Sequence, residues 1–419
     1  MRREFILMKV RVTNFGPIED AEFELGDVTV VIGPNASGKS FLSYMLYSVL
    51  TTRPLGGPED LKELPVGEVE LRSYLDAVNK VLSRALRESF EGLFGVRYGE
   101  LITIGRGESR ITFTDEGVGS LDITLGEEFK AEVRLDKDVG LFINFVEVKD
   151  ARSGVVDVKI ARTDAGGYRV DVYYGTELLS GSEALEAEKR RVLASTLSQL
   201  VLGLLFRGFI PAVLLPAERD LVMSNLTGYI STYISGGKLS DASDKPVVRD
   251  FVRSLMSAMR LLRGEELSIG SLNIKYKVVE PFVLEVYEKG ERIPLPLLSS
   301  GYAQVLPIHI LSRFGKSVII EEPELNLHAG AQVKVADLLY DLVEKEDKRL
   351  FLTTHSDIFT VQMAINHVKR GRDKGKTLKI YLLNEGKMEE IAYTERGDIE
   401  SIPTITDVIR EQVKEIYGE

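Results

Sequence analysis

The stretch Gly33-Pro34-Asn35-Ala36-Ser37-Gly38-Lys39-Ser40 constrains this chain more than any other. It follows an apolar run, Val28 to Ile32, and leads into a helical-looking run, Phe41 to Leu50. The pattern is G-x-x-x-x-G-K-S between a strand and a helix, the context in which such a loop cradles phosphate. Successive backbone N–H groups of the loop, with the N-terminus of the following helix, form a concave anion site. Gly33 and Gly38 allow backbone conformations and close approaches that a Cβ would obstruct. Lys39 would reach the β- and γ-phosphates of ATP, and Ser40 would ligate a bridging Mg²⁺. Residues Gly33 to Ser40, with Phe41 behind them, are the candidate nucleotide site. The alternative is a chance glycine-rich turn, which the flanking strand and helix disfavour.

Composition narrows the function classes. A chain of 419 residues can bury a large core and hold several substructures. There is no cysteine, so disulfides, thiol nucleophiles and cysteine metal clusters are excluded. Four histidines (His309, His328, His355, His367) leave little room for a histidine-rich metal site. Asn and Gln are scarce, nine and five, as in heat-adapted proteins poor in thermolabile amides. A net charge of −11 means that any nucleic-acid contact needs a local basic patch. Met1 to Val12 lacks the apolar core of a signal peptide, and Leu193 to Leu215 is broken by Arg207, Gly208 and Pro211. A cytoplasmic protein without a membrane span is expected.

Residues 6 to 12 and 21 to 32 read as strands joined by the turn Asn14-Phe15-Gly16-Pro17. After a break at Pro54 to Pro58, residues 68 to 94 carry apolar positions at helical spacing and read as one helix. From Leu101 to Leu179, short alternating runs separated by Gly and Asp read as an antiparallel β region. Residues 182 to 206 return to helix, with Ser182 as its cap. Pro211 to Leu215 reads as a short buried strand, and 221 to 263 as helices interrupted at Gly236-Gly237 and Asp241 to Pro246. Leu272 to Val286 and Ile293 to Leu295 read as a hairpin turning at Gly290. No repeat or long heptad arm is visible.

Three further motifs carry chemistry. Leu298-Ser299-Ser300-Gly301 opens an apolar helix, Val305 to Leu311. Two hydroxyls and a glycine there make either a second anion site or an ordinary serine cap. Val318-Ile319-Ile320-Glu321-Glu322-Pro323-Glu324 describes a buried strand with acids at its C-terminal end, where ligands of open α/β sheets sit. Glu321 would hold the Mg²⁺ shell and Glu322 would polarise the attacking water; the alternative is a solvated acidic turn. Leu350 to Thr354 is an apolar strand ending at His355, whose imidazole would hydrogen-bond the γ-phosphate or else serve a structural role.

In this order the four motifs resemble the ABC-type ATPase superfamily, and its soluble RecF, SMC and OLD (overcoming lysogenization defect) branch in detail. The resemblance rests on Asn14-Phe15-Gly16-Pro17-Ile18, Leu298-Ser299-Ser300-Gly301, Glu321-Glu322-Pro323-Glu324-Leu325-Asn326-Leu327-His328 and Thr353-Thr354-His355-Ser356. It implies an α/β P-loop NTPase head with a mixed central sheet, an antiparallel β lobe and helical insertions. It also implies an ATP-dependent homodimer in which each ATP lies between one phosphate loop and the other copy's signature, so that Ser299, Ser300 and Gly301 act in trans. Leu325 to His328 would lie near the partner as a D-loop. Glu321 stands where many of these proteins have Asp, and Ala329-Gly330 where a proline is common. The Q-loop glutamine is missing; the corresponding segment is Leu215 to Asp220, where Glu218 and Arg219 would either face the nucleotide or pair with each other.

The expected architecture is a single head, 1–419, with a phosphate-loop segment (1–52), helical insertion (53–98), β lobe (99–180), helical region (181–270) and signature lobe (271–419). Only 63 residues follow Ser356, with no Asp-x-Asp pair, so a TOPRIM nuclease domain is not expected and a separate nuclease or effector subunit would be the partner. The expected function is a Mg²⁺-dependent ATPase in DNA maintenance or defence against foreign DNA. An ATP-gated scaffold and a transporter ATPase subunit are the alternatives. Lys369 to Lys379 and Lys189-Arg190-Arg191 are candidate DNA contacts, or solvated surface.

Overall fold

The computed structural model describes residues 7–148, 155–164, 166–175, 182–234, 245–270, 273–280, 282–399 and 411–417. Ser182 is the first residue of its helix, but its side chain, on which the expected cap depends, and the loop at Gly236-Gly237 lie outside what the structure describes.

Nineteen strands in the described residues form three sheets. β1 (Met8–Phe15), β2 (Ile18–Leu25) and β3 (Val28–Ile32) lead to the phosphate loop and helix α1 (Lys39–Thr51). β4 (Gly67–Glu70) and α2 (Leu75–Phe94) are followed by β5 (Ser109–Asp115), β6 (Gly119–Leu125), β7 (Phe129–Leu135), β8 (Gly140–Glu147), β9 (Val155–Arg162) and β10 (Tyr168–Tyr174). Then come α3 (Ser182–Leu205), β11 (Ala212–Leu215), α4 (Arg219–Ser224), α5 (Leu226–Ile234) and α6 (Pro246–Leu261). β12 (Glu266–Ile269), β13 (Ile274–Glu280), β14 (Val283–Glu288) and β15 (Glu291–Ile293) precede α7 (Ser300–Ser312). The chain continues through β16 (Ser317–Glu321), α8 (Ala329–Lys345), β17 (Arg349–Thr354), α9 (Asp357–Asn366), β18 (Leu378–Asn384) and β19 (Lys387–Glu390).

The main sheet has eleven strands in the order β11-β16-β17-β3-β18-β19-β2-β1-β5-β6-β7. β11, β16, β17, β3 and β18 are mutually parallel, and the β2-β1-β5-β6-β7 wing is antiparallel. The two halves read differently for one reason. In the parallel half, β3, β11 and β16 are buried at every position, because helices cover both faces. In the antiparallel wing, β6 and β7 alternate buried with less buried residues, because α2 and α3 cover one face only.

Four sequence expectations need correction. Residues 21 to 32 are two strands, broken at Gly26-Asp27. Residues 67 to 70 form a strand and the helix starts only at Leu75; its apolar stripe (Val78, Leu82, Leu86) is the part that packs. The β lobe at 99–180 is divided: β5 to β7 extend the main sheet, whereas β8 to β10 join β4 in a separate sheet in which β8 and β10 are parallel. The expected hairpin is a four-stranded sheet, in which the connection between Glu280 and Val283 joins β13 to β14 and Gly290 lies in the turn from β14 to β15.

Candidate functional site

β16, β17 and β3 are adjacent and parallel, with Glu321 opposite Thr353 and Thr354 opposite Ile32. Their C-terminal ends therefore bring Glu321-Glu322, His355 and the phosphate loop to one edge of the sheet. Residues almost 300 positions apart in sequence become neighbours through three strands of register.

The loop has the conformation its glycines permit. Gly38 has φ 108°, and a Cβ on Gly33 would stand 2.2 Å from the Leu383 carbonyl oxygen of β18. No side chain caps α1, so its first-turn amides remain for an anion. Lys39 is buried, and its ammonium donates to the carbonyls of Gly33 (2.9 Å) and Pro34 (2.8 Å). Burial lowers its pKa to about 8, against the opposite pull of Glu322, Glu324 and Glu321. Phe41 departs from the expected role. Its ring packs on Phe15 (5.7 Å) and Phe94 (5.4 Å), so the side chain belongs to an aromatic cluster that seats α1 and only its backbone borders the loop.

Glu321 is 2% exposed. Its Oε2 accepts from the Tyr44 hydroxyl (3.0 Å), and the Ser40 hydroxyl stands beside the carboxylate. Oε1 has no hydrogen-bond partner, nor has the buried Oε2 of Glu218 close by. Burial raises the Glu321 pKa to about 7, the Ser40 and Tyr44 hydroxyls pull it down, and the Glu218 and Glu322 charges add to the rise. Two orphaned, mutually repelling carboxylate oxygens beside a serine hydroxyl fit a hard divalent cation, which would neutralise them. Ser40 and Glu321 would hold Mg²⁺, and the metal would supply charge neutralisation at the β,γ-phosphates. Among the described residues no group of three or more acidic or histidine side chains forms a metal cage of its own.

Glu322 is the general-base candidate. Its Oε1 lies 3.4 Å from Nε2 of His355, and the His355 hydrogen bond holds its pKa below the usual carboxylate range despite partial burial. An ionised carboxylate there can accept a proton from water. Glu324 fixes the geometry: its Oε1 accepts from the Thr354 hydroxyl (2.6 Å) and the His355 amide (2.8 Å). Glu322, His355, Asn35 and Gln332 line an open cavity of about 740 Å³.

The signature serines lie elsewhere. Ser299 caps α7 by accepting from the Tyr302 amide, Ser300 donates to the Asn326 carbonyl (3.4 Å), and both serines are exposed. Among the described residues no hydrogen bond joins Ser299, Ser300 or Gly301 to residues 33–41. Ser299 thus caps its helix, and its neighbour Ser300 is the one that bonds the 325–328 segment.

Several residues with a place in the site were not singled out from sequence. Tyr44 was hidden in an apolar helix; its position four residues after Ser40 was the available signal. Glu324 is the third acid of its motif, and its spacing from Glu322 is the signal available in the sequence. The Q-loop expectation is revised: Glu218 pairs with Lys245, and Arg219 is fully buried with its guanidinium on backbone carbonyls, so the two do not pair with each other and Arg219 does not face a nucleotide.

The candidate DNA contacts are largely neutralised. Arg370 pairs with Asp341 and Glu344, Lys374 with Glu344, Lys376 with Asp27 and Asp347, and Lys379 with Glu24 and Glu390. Lys189 pairs with Glu186 and lies over the Tyr174 ring, and Arg191 pairs with Glu188. Among the described residues no helix is long and apolar enough to cross a membrane.

Residues 250–360, from α6 through the signature, acidic strand end and His355, match the AAA ATPase domain family. The chain is 22% identical over 402 residues to an OLD nuclease of Thermus scotoductus, covering 91% of this chain and 65% of that relative's length. It is also similar to the SMC head domain from Thermotoga maritima (12% identity, 93% of this chain and 99% of that one, TM-score 0.38). A second similar structure is an Smc head domain, with an extended coiled coil, derived from Pyrococcus furiosus (12% identity, 98% and 100%, TM-score 0.39). With its four motifs in order and three of them gathered at one edge of a mixed sheet, the chain carries an AAA ATPase domain match over residues 250–360 and resembles ABC-type ATPases of the RecF/OLD-like kind.

Proposed function

We propose that this ATPase binds Mg²⁺-ATP through Gly33 to Ser40 and Glu321, uses Glu322 as base and His355 as γ-phosphate contact, and closes into a homodimer around two ATP molecules. Ser299, Ser300 and Gly301 would complete the partner's site, giving a two-fold, self-complementary interface. ATP would stabilise that dimer and hydrolysis would release it, a population shift driven by differential contacts. The observation that supports this reading is the division of labour between surfaces. The loop, the acids and His355 converge at three strand ends, while the signature serines are exposed and share no hydrogen bond with their own loop. The chain would act as one head, because strands from residues 8 to 390 share a single sheet. Its place would be in DNA maintenance or in defence against foreign DNA.

The test is the molar mass of the Glu322→Gln protein with and without Mg²⁺-ATP. Monomer without nucleotide and dimer with it are expected, because the trapped ATP holds the sandwich closed. ATP binding without a change in mass would remove the trans role of Ser299 to Gly301. A second reading is an ATP-gated scaffold controlling a nuclease. It is supported by the likeness to an OLD nuclease of which this chain spans 65%. Strong ATP-dependent assembly with turnover slower than dissociation would favour it.

A further inference from the structure

Arg219 is 0% exposed, the largest of the fully buried side chains among the described residues, and none of their carboxylates bonds it. Its Nη1 donates to the carbonyls of Pro216 (2.9 Å) and Glu321 (2.5 Å), and its Nη2 to that of Glu322 (2.7 Å). Burying a cation on carbonyls alone is costly, and an apolar side chain of similar volume would fill the space without that cost. What only a planar guanidinium supplies is a two-pronged grip on consecutive carbonyls, 321 and 322. That grip falls where the backbone changes character: Glu321 ends β16 and Glu322 has φ 44°, a left-handed conformation that a residue with a side chain rarely adopts. The turn sends Glu321 toward Ser40 and Tyr44, and Glu322 toward His355.

The next residue reaches the other half of the site. Asp220 Oδ2 accepts from the Asn326 side chain (2.8 Å), and the Asn326 carbonyl accepts from Ser300 (3.4 Å). The short helix that carries Arg219 and Asp220, α4, packs directly on the signature helix α7. From these contacts we infer that Arg219 is a positioning residue for the catalytic carboxylate, and that Asp220 and Asn326 tie it to the signature of the same chain. Occupation of Ser299 to Gly301 by the partner's nucleotide is thereby transmitted, through Asn326 and α4, to the chain's own Glu322. This rests on the two-headed reading above; the Arg219 half does not require it.

The experiment compares Arg219→Met, Arg219→Lys and Asp220→Ala in the full chain. It measures folding by thermal unfolding, equilibrium binding of a fluorescent ATP analogue, and single-turnover hydrolysis across pH and protein concentration. Arg219→Met is expected to bind nucleotide within about 3-fold of wild type yet hydrolyse it about 100-fold more slowly, with the acidic limb of the pH profile displaced as Glu322 loses its His355 contact. Arg219→Lys, with one prong, should recover no more than about 10-fold of the loss. Asp220→Ala should hydrolyse normally at low protein concentration and lose the rate increase that follows dimerisation. Folded Arg219→Met or Arg219→Lys with a wild-type rate and pH profile overturns the positioning role. If Arg219→Met does not fold, Arg219→Lys decides alone. Asp220→Ala with full concentration-dependent stimulation overturns the link to the signature. A wild-type rate independent of concentration would instead count against the two-headed reading, and with it the link, leaving the Arg219 arm to be decided on its own.

Discussion

Glu321 offers a quantitative test of the site that needs no assay of turnover. Its carboxyl is raised from an ordinary 4.5 to about 7, first by burial. Between these values the folded protein keeps a proton that the unfolded chain has released. Folded-state proton excess means that stability falls as pH rises from 4.5 to about 7, and is flat on either side. The full loss is about 3 kcal/mol. Glu321→Gln keeps the side-chain shape and a carbonyl acceptor for Tyr44 but cannot ionise. The variant should match wild type near pH 5 and exceed it by about 3 kcal/mol at pH 8, about 3–4 °C in unfolding temperature for a chain of this size if it unfolds as a unit. Thermal and urea unfolding at half-unit pH steps would record it. Mg²⁺ at pH 8 should stabilise wild type and leave Glu321→Gln unmoved, because the cation replaces the lost proton between Glu321 and Glu218. Parallel pH profiles for the two proteins would refute the reasoning: the carboxyl would then be solvated rather than buried.

Other expectations concern the rest of the site. Lys39, lowered to about 8 by burial, should regain its proton when phosphate arrives, so ATP binding at pH 8.5 should take up roughly three-quarters of a proton, read by calorimetry in buffers of different ionisation enthalpy; no uptake would show that the ammonium is already charged. Gly33→Ala would drive a Cβ against the Leu383 carbonyl, and should cost about 2–4 kcal/mol in thermal unfolding as well as nucleotide binding; a stable variant would mean that β18 can move aside. The double variant Lys374→Ala, Lys379→Ala removes cations already paired with Glu344, Glu24 and Glu390. It should leave the salt dependence of any DNA binding unchanged, whereas a slope reduced by about two would restore the basic stretch as a backbone contact.

What the sequence determined by itself is the chemistry that depends on local spacing. A phosphate loop is eight consecutive residues whose amides point inward together, so Gly33 to Ser40 could be read directly. Acids after Val318 to Ile320, and His355 after Leu350 to Thr354, were legible because a buried parallel strand is a continuous apolar run with its functional group at the end. Tertiary structure decided everything that depends on which face meets which. Strand order is invisible in a one-dimensional pattern, and β18 enters the sheet beside β3 from residues far downstream. Whether a cation is free depends on acids from other elements, and the run from Lys369 to Lys379 is matched by Asp27, Glu24, Asp341, Glu344 and Glu390. Phe41 turned inward because Phe15 and Phe94 wait there, and Arg219 turned onto the Glu321 and Glu322 carbonyls because β11 and β16 are parallel neighbours. Backbone spacing encodes an anion site or a strand end locally; side-chain direction is set by partners that only the packed chain supplies.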